Sequence, residues 1–235
     1  MAGLSSRFFR EGYTLPKYML EARGKTLFDH SVESFNKYFS SEHFVFIIRD
    51  VYNTKQFVAA RANELGIKKY DIVVLESETR GQAETVALGI HEFKKPDAPL
   101  TIFNIDTFRP NFTFPELSKF EDGYLEVFRG SGDNWSFVRP IEKESTEIDL
   151  TTEKKPISDL CCTGLYHFNS IQEYMNAFNY YLTLPSEQWE KGELYVAPLY
   201  NHLINSGKKI HYNLIPQEDV IFCGTPDEYN SFLEE

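Results

Sequence analysis

The sequence predicts an α/β fold, a three-layer sandwich around a mixed, mostly parallel central sheet with an extension built onto its second half. Three observations predict it. The first half alternates short apolar runs with amphipathic stretches, the rhythm that builds parallel strands through crossover helices. The second half breaks that rhythm with Pro110, Pro115 and several short β-like runs, as an antiparallel or mixed extension would. And 235 residues that are 42% hydrophobic, with 20 Phe and 14 Tyr, suffice for a substantial aromatic-rich core in one compact domain.

The elements follow in order. Residues 26–39 place Leu27, Ser31, Phe35 and Phe39 on one helical face. Phe44 to Ile48 is a continuous apolar run, a buried strand, followed by a helix over 54–65 and a second buried strand from Ile72 to Leu75. Gly81 to Phe93 reads as a helix entered from a turn, and Leu100 to Ile105 as a third strand whose end delivers Asp106. In the extension, 124–128, 135–138 and 160–168 read as strands, and 170–182 and 196–205 as helices. Short strands near 209–215 and 219–223 precede a terminal helix opened by Thr225-Pro226-Asp227-Glu228, with proline at the first helical position.

Charge and cysteine usage narrow the class. A net charge of −11 argues against a nucleic-acid or acidic-membrane surface, which needs a basic footprint. A small anionic ligand is still compatible, because a few local cations make a positive pocket in an acidic protein. Cys161, Cys162 and Cys223 form neither a disulfide framework nor a Cys-x-x-Cys zinc pattern, which suits a reducing cytoplasm. No apolar run is long enough to span a bilayer, and the first residues read as a polar loop and not as a signal peptide.

That loop carries the first chemical signal. In Met1-Ala2-Gly3-Leu4-Ser5-Ser6-Arg7, a small glycine-containing turn lets backbone N–H groups approach an anion closely. Arg7, and Lys17 after Pro16, add two cations able to converge on a polyphosphate. No Gly-Lys-Ser/Thr follows, so it is not a Walker loop.

The combination resembles the signature of nucleotidyltransferases that activate sugar 1-phosphates or related phosphate monoesters. The resemblance runs along almost the whole chain, in order. Thr79-Arg80-Gly81-Gln82-Ala83-Glu84-Thr85-Val86 is similar to the segment that closes over the base, and Asn104-Ile105-Asp106 to the strand-end aspartate that holds magnesium. Glu153-Lys154 resembles the pair that meets the acceptor, and Gly164-Leu165-Tyr166-x-Phe168 the strand lining the acceptor pocket. Gly224-Thr225-Pro226-Asp227-Glu228 is similar to the family's carboxy-terminal helix start.

The resemblance implies a Rossmann-like nucleotidyltransferase domain, with 1–108 its nucleotide-binding half and 109–235 its acceptor-binding half. It implies an Mg²⁺-dependent enzyme that takes an NTP (CTP or another) and a phosphate-monoester acceptor, for capsule or other surface-polysaccharide assembly. The attacking monoester is already an anion at neutral pH, so catalysis is positioning and charge neutralisation. On this pattern Ala2, Gly3, Ser5, Ser6 and Arg7 hold the phosphates, Lys17 reaches the α-phosphate or the incoming phosphate, and Asp106 binds the metal. Lys154, oriented by Glu153, holds the acceptor phosphate; Lys155 beside it is the competing choice, and the family pattern favours Lys154. Gly164, Tyr166, Glu193 and Tyr195 line the acceptor pocket, while Gly81 and Gln82 close on the nucleotide. Glu76 falls where a base-edge contact is expected; a carboxylate only accepts hydrogen bonds, which suits the amino-bearing edge of cytosine or guanine, although Glu76 equally fits an exposed loop.

Two departures stand out. Where sugar-phosphate members carry a second metal aspartate, this chain has Phe222, so Asp219 or Glu218 is the substitute, unless phosphates alone hold a second ion. The apolar strand that leads into the family's loop is also absent, so an initial strand is expected upstream of Met1. Two other readings stay open. A glycosyltransferase of related fold lacks its Asp-x-Asp in Asp106-Thr107-Phe108, and a sensor that kept the fold but lost turnover would explain Phe222. Aromatic richness and family habit point to a homodimer.

Overall fold

The structure is a computed structural model that describes residues 1–3 and 5–234; Leu4 of the amino-terminal loop and Glu235 lie outside the described residues. In chain order its helices are α1 (Ser6–Arg10), α2 (Leu27–Glu33), α3 (Thr54–Glu64), α4 (Gln82–Ile90), α5 (Ile171–Thr183), α6 (Leu199–Asn205) and α7 (Pro226–Glu234). The first strands are β1 (Glu21–Ala22), β2 (Lys25–Thr26), β3 (Phe44–Ile48), β4 (Tyr70–Val74), β5 (Leu100–Phe103) and β6 (Thr107–Phe108). The remainder are β7 (Gly123–Arg129), β8 (Ser136–Pro140), β9 (Ile148–Glu153), β10 (Leu160–Phe168), β11 (His211–Leu214) and β12 (Ile221–Phe222). The fold is α/β with mixed sheet pairing, as the sequence predicts. The chain forms two compact units, each assembled from separate stretches of sequence.

The first unit comprises Met1–Glu78, Asn104–Thr113 and Glu218–Glu235. Here β3 and β4 pair in parallel from Phe44↔Tyr70 to Ile48↔Val74, with α3 as the crossover such a pair requires. Phe28 of α2 packs its ring against Phe46 and Phe57. A capping box between Thr26 and Asp29 opens α2. The expected helix over 26–39 stops at Glu33, and residues 36–38 form a 3-10 turn. The cause is Ser34, whose hydroxyl donates back to the His30 carbonyl and accepts the Arg109 N–H, competing with the helix ladder. The predicted face is nonetheless buried, with Leu27, Ser31, Phe35 and Phe39 all in the interior. A satellite cluster of Phe8, Leu27, Phe108, Cys223, Tyr229 and Phe232 joins α1, α2, β6 and α7.

The second unit comprises Thr79–Phe103 and Phe114–Gln217. Its six-stranded sheet runs β11-β7-β10-β8-β9, with β5 also on β10. β10, buried along its whole length, is the middle strand. Only β7–β11 is parallel in this sheet, so the parallel share is smaller than expected. Short reversals such as the one joining β8 to β9 replace long crossovers here. β9 carries no clear sequence signal, because Ile-Asp-Leu-Thr-Thr-Glu shows no sustained apolar alternation. Against the sheet, Phe168 and Tyr200 stack at 4.2 Å, and the buried Tyr174 hydroxyl donates to the Ala83 carbonyl at 2.6 Å.

The three cysteines are free and buried, Cys161 and Cys162 in the second unit and Cys223 in the first. Among the described residues no helix is long and apolar enough to cross a membrane.

Candidate active site

In the first unit the amino-terminal loop starts along the edge of β3. The Met1 amine donates to the Ile47 carbonyl at 2.8 Å, and the Arg49 N–H donates to the Met1 carbonyl at 3.4 Å. Ser5 turns the chain in the left-handed region, φ 51, directly into α1. Its hydroxyl accepts the backbone N–H of Lys17 at 3.2 Å, which ties the loop to the residue the sequence singles out. The Lys17 ammonium then reaches Asp106, Nζ to Oδ2 2.5 Å, across 89 residues of sequence.

Asp106 is fixed from several directions. Its carbonyl accepts the Cys223 N–H at 2.8 Å, and the Ser31 hydroxyl donates to Asn104 in the same turn at 3.2 Å. Burial works against charge on this carboxyl, but the Lys17 ammonium outweighs it and holds the pKa below the usual aspartate range. Gly224 lies close beside it, and a Cβ there would stand a tight 3.1 Å from Oδ2. Asp106 follows a two-residue gap after β5 ends at Phe103, and does not extend the strand itself.

The remaining first-unit candidates sit nearer solvent. Ala2 is half-buried, Gly3, Ser6 and Arg7 are exposed, and Glu76 is exposed in the loop after β4. Asp219 is exposed, and its backbone carbonyl accepts from the Arg109 guanidinium at 2.6 Å. Phe222 pairs with Thr107 in the β6–β12 ladder. Among the described residues no group of three or more His, Cys, Asp or Glu side chains converges as a metal site.

In the second unit two groups of candidates are joined by one loop. Gly81 opens α4 with φ 151, where a Cβ would meet the Leu194 carbonyl oxygen at 2.4 Å. Leu194 is clamped by the Arg80 carbonyl and the Ala83 N–H, each at 2.9 Å. Gln82 is half-buried at the first turn. Arg80 pairs with Glu84 and lies over the Trp189 ring, 5.4 Å to its centroid.

The acceptor candidates gather at the start of β8, the end of β9 and within β10. Glu153 is buried; it accepts from the Ser136 hydroxyl, which also lies 3.3 Å from the Tyr166 hydroxyl. Burial raises the Glu153 pKa, with Ser136 and Lys154 opposing. The Glu153 N–H donates to the Glu190 carboxylate. Lys154 donates to the Tyr195 hydroxyl at 2.6 Å, whereas Lys155 is exposed and its carbonyl accepts from the Thr152 hydroxyl at 2.6 Å. Burial opposes charge on Lys154, but Tyr195, Glu153 and Glu193 outweigh it and raise the pKa. Gly164, φ 94, sits at the register shift of β10 that precedes Tyr166, and Glu193 is exposed on the loop carrying Tyr195. Ser136 and Glu190 carry no motif that marks them in the sequence. Ser136 lies directly opposite Glu153 in the β8–β9 ladder, so recognising β9 would have found it.

No protein-family model matches the chain, and no curated protein matches it either. Solved structures do. The chain is 59% identical to the nucleoside-diphosphate-sugar pyrophosphorylase from Vibrio cholerae RC9, at a TM-score of 0.95, over 100% of this chain and 98% of that one. It shares its fold with a UDP-glucose pyrophosphorylase complexed with UDP-glucose, at 15% identity, TM-score 0.74, covering 99% and 94% of the two chains. It also shares it with the CTP:phosphocholine cytidylyltransferase from Streptococcus pneumoniae, at 13% identity, TM-score 0.71, covering 99% and 95%. The full-length likeness to a pyrophosphorylase displaces the glycosyltransferase and sensor readings. The chain belongs to the nucleotidyltransferase family and is an enzyme of that class.

Proposed function

We propose that this enzyme moves a nucleoside monophosphate from an NTP to a sugar 1-phosphate or similar phosphate monoester, with Mg²⁺, in the cytoplasm, to supply an activated sugar for capsule or other surface polysaccharide. The observation that carries the reading is the Lys17–Asp106 contact beside the Ser5 turn, a cation and a carboxylate converging next to the loop that the sequence marks for phosphate. The name of the 59% identical relative favours a sugar phosphate as acceptor.

The reaction needs no general base. A phosphate oxygen of the monoester forms a bond to the α-phosphorus, the bond from that phosphorus to the bridging oxygen breaks, and pyrophosphate leaves with the electron pair. Arg7 and the loop amides of Ala2, Gly3, Ser5 and Ser6 hold the β- and γ-phosphates and stabilise the departing charge. Lys17 neutralises the α-phosphate, and Lys154 with Glu153 receives the acceptor. Gly81 and Gln82 meet the base, with Glu76 as the base-edge acceptor, and Gly164, Tyr166 and Glu193 line the acceptor side.

Asp106 fits magnesium as a single-carboxylate site. Magnesium takes one or two carboxylates with phosphate oxygens and keeps several waters, and Asp106 retains 23% side-chain exposure while Phe222 supplies no second ligand. The ion's chemistry is charge neutralisation on the phosphates; Asp219 is the second carboxylate if two ions bind.

The test is pyrophosphate release with Mg²⁺, each NTP and a panel of phosphate monoesters including glucose 1-phosphate and phosphocholine. Release that requires one monoester is expected, and NTP binding without release from any pair would overturn the reading. With the active pair, Lys17→Ala and Asp106→Asn are each expected to lower turnover by about two to three orders of magnitude while the far-ultraviolet circular dichroism is unchanged. Wild-type rates in both would remove these residues from the site.

A further inference from the structure

Lys154 directly follows β9 with φ 54, a left-handed conformation that a residue with a side chain keeps only where its surroundings impose it. Two contacts impose it here. Its N–H donates to the Trp135 carbonyl at 2.8 Å, and its ammonium donates to the Tyr195 hydroxyl at 2.6 Å. The ammonium also lies 4.7 Å from the centroid of the Tyr195 ring.

Tyr195 stands on a rigid base. Leu194, its neighbour, is bonded by its N–H to the Arg80 carbonyl and by its carbonyl to the Ala83 N–H, and its backbone fills the space that a Cβ on Gly81 would take. The same loop gives the Glu190 carboxylate to the Glu153 N–H. One short segment therefore fixes both members of the Glu153-Lys154 pair. A neutral hydroxyl binds an ammonium more weakly than a phosphate dianion does, so it can aim the lysine without trapping it.

We propose that Tyr195 is a positioning residue for Lys154, aiming its ammonium at the acceptor phosphate and releasing it when that phosphate binds. The proposal rests on Lys154 being the acceptor-phosphate ligand of the proposed reaction.

The test uses the full chain and Tyr195→Phe, which keeps the ring and removes the hydroxyl. Trace acetylation of the resting enzyme with acetic anhydride, read lysine by lysine by mass spectrometry, needs no turnover. Loss of the hydroxyl lowers the Lys154 pKa and frees its ammonium, so its reactivity relative to Lys155 is expected to rise about threefold or more. In the pyrophosphate assay, kcat/KM for the acceptor is expected to fall about tenfold while KM for the NTP stays within about twofold. In the Lys154→Ala background Tyr195→Phe is expected to cost nothing further, because it acts through the missing lysine. An unchanged labelling ratio, an unchanged acceptor kcat/KM, or losses that multiply independently in the double variant each overturn the proposal. A wild-type chain with no turnover on any pair overturns the proposed reaction instead, and the acceptor role of Tyr195 falls with it. Altered labelling alongside intact acceptor kinetics overturns the positioning role alone.

Discussion

His167 shows how far a single buried side chain can make this protein sensitive to acid. It is 4% exposed on β10, its Nδ1 2.9 Å from the Thr101 hydroxyl and its ring stacked on Tyr124. Burial pushes its pKa down from 6.5 to about 4. The folded state thus refuses a proton that the unfolded chain accepts. A depressed pKa gives stability that is full above about 6.5 and is lost as pH falls toward 4. Urea unfolding is expected to show about 2 kcal/mol less stability at pH 5 than at pH 7 from this residue, a difference absent in His167→Gln. Equal pH slopes in the two proteins would remove His167 as the cause. Residues of this kind are hard to read in a sequence, because His167 looks like any polar position until β10 is known to be covered on both faces. Lys17 and Asp106 are different: each stands beside a recognisable turn, so both were legible, but their 2.5 Å contact was not.

Among the elements, the start of α4 is the most constrained. Gly81→Ala would place a Cβ 2.4 Å from the Leu194 carbonyl oxygen and force an L side chain to φ 151. Backbone atoms on both sides leave little to give, so a loss of about 2–4 kcal/mol is expected, measured as a lower urea midpoint at an unchanged m-value. A wild-type midpoint would mean that the 189–195 segment backs away freely. Most elements of the chain were legible because their signals are local. Phe44–Ile48 is an uninterrupted apolar run, and Pro226 begins α7 where a proline costs no hydrogen bond. β9 and the end of α2 were not, for the opposite reason. β9 exists because β8 offers it a ladder, and α2 stops because Ser34 is taken by Arg109 from 75 residues away. Such long-range partners override propensity.

For the molecule as a whole, the ordered motifs point to the class of enzyme, while the tie between the 189–195 segment and the Glu153-Lys154 pair exists only in the folded chain. The way the chain opens is open to measurement through its buried thiols. Burial raises Cys161 to about 11, Cys223 to about 12 and Cys162 well above the usual thiol range. A thiolate is the reactive form, so at pH 8 a thiol reagent modifies each only when its surroundings open. Cys161 and Cys162 thus time the opening of one compact unit and Cys223 that of the other. Cys223 directly precedes the glycine that makes room for the Asp106 carboxylate. With Mg²⁺ and NTP at about ten times Kd, its labelling is expected to slow by about tenfold, by mass action on the closed form. Equal slowing at all three thiols would instead mean that the nucleotide protects both units alike, so three ordinary cysteines become clocks that record how nucleotide binding is distributed through the chain.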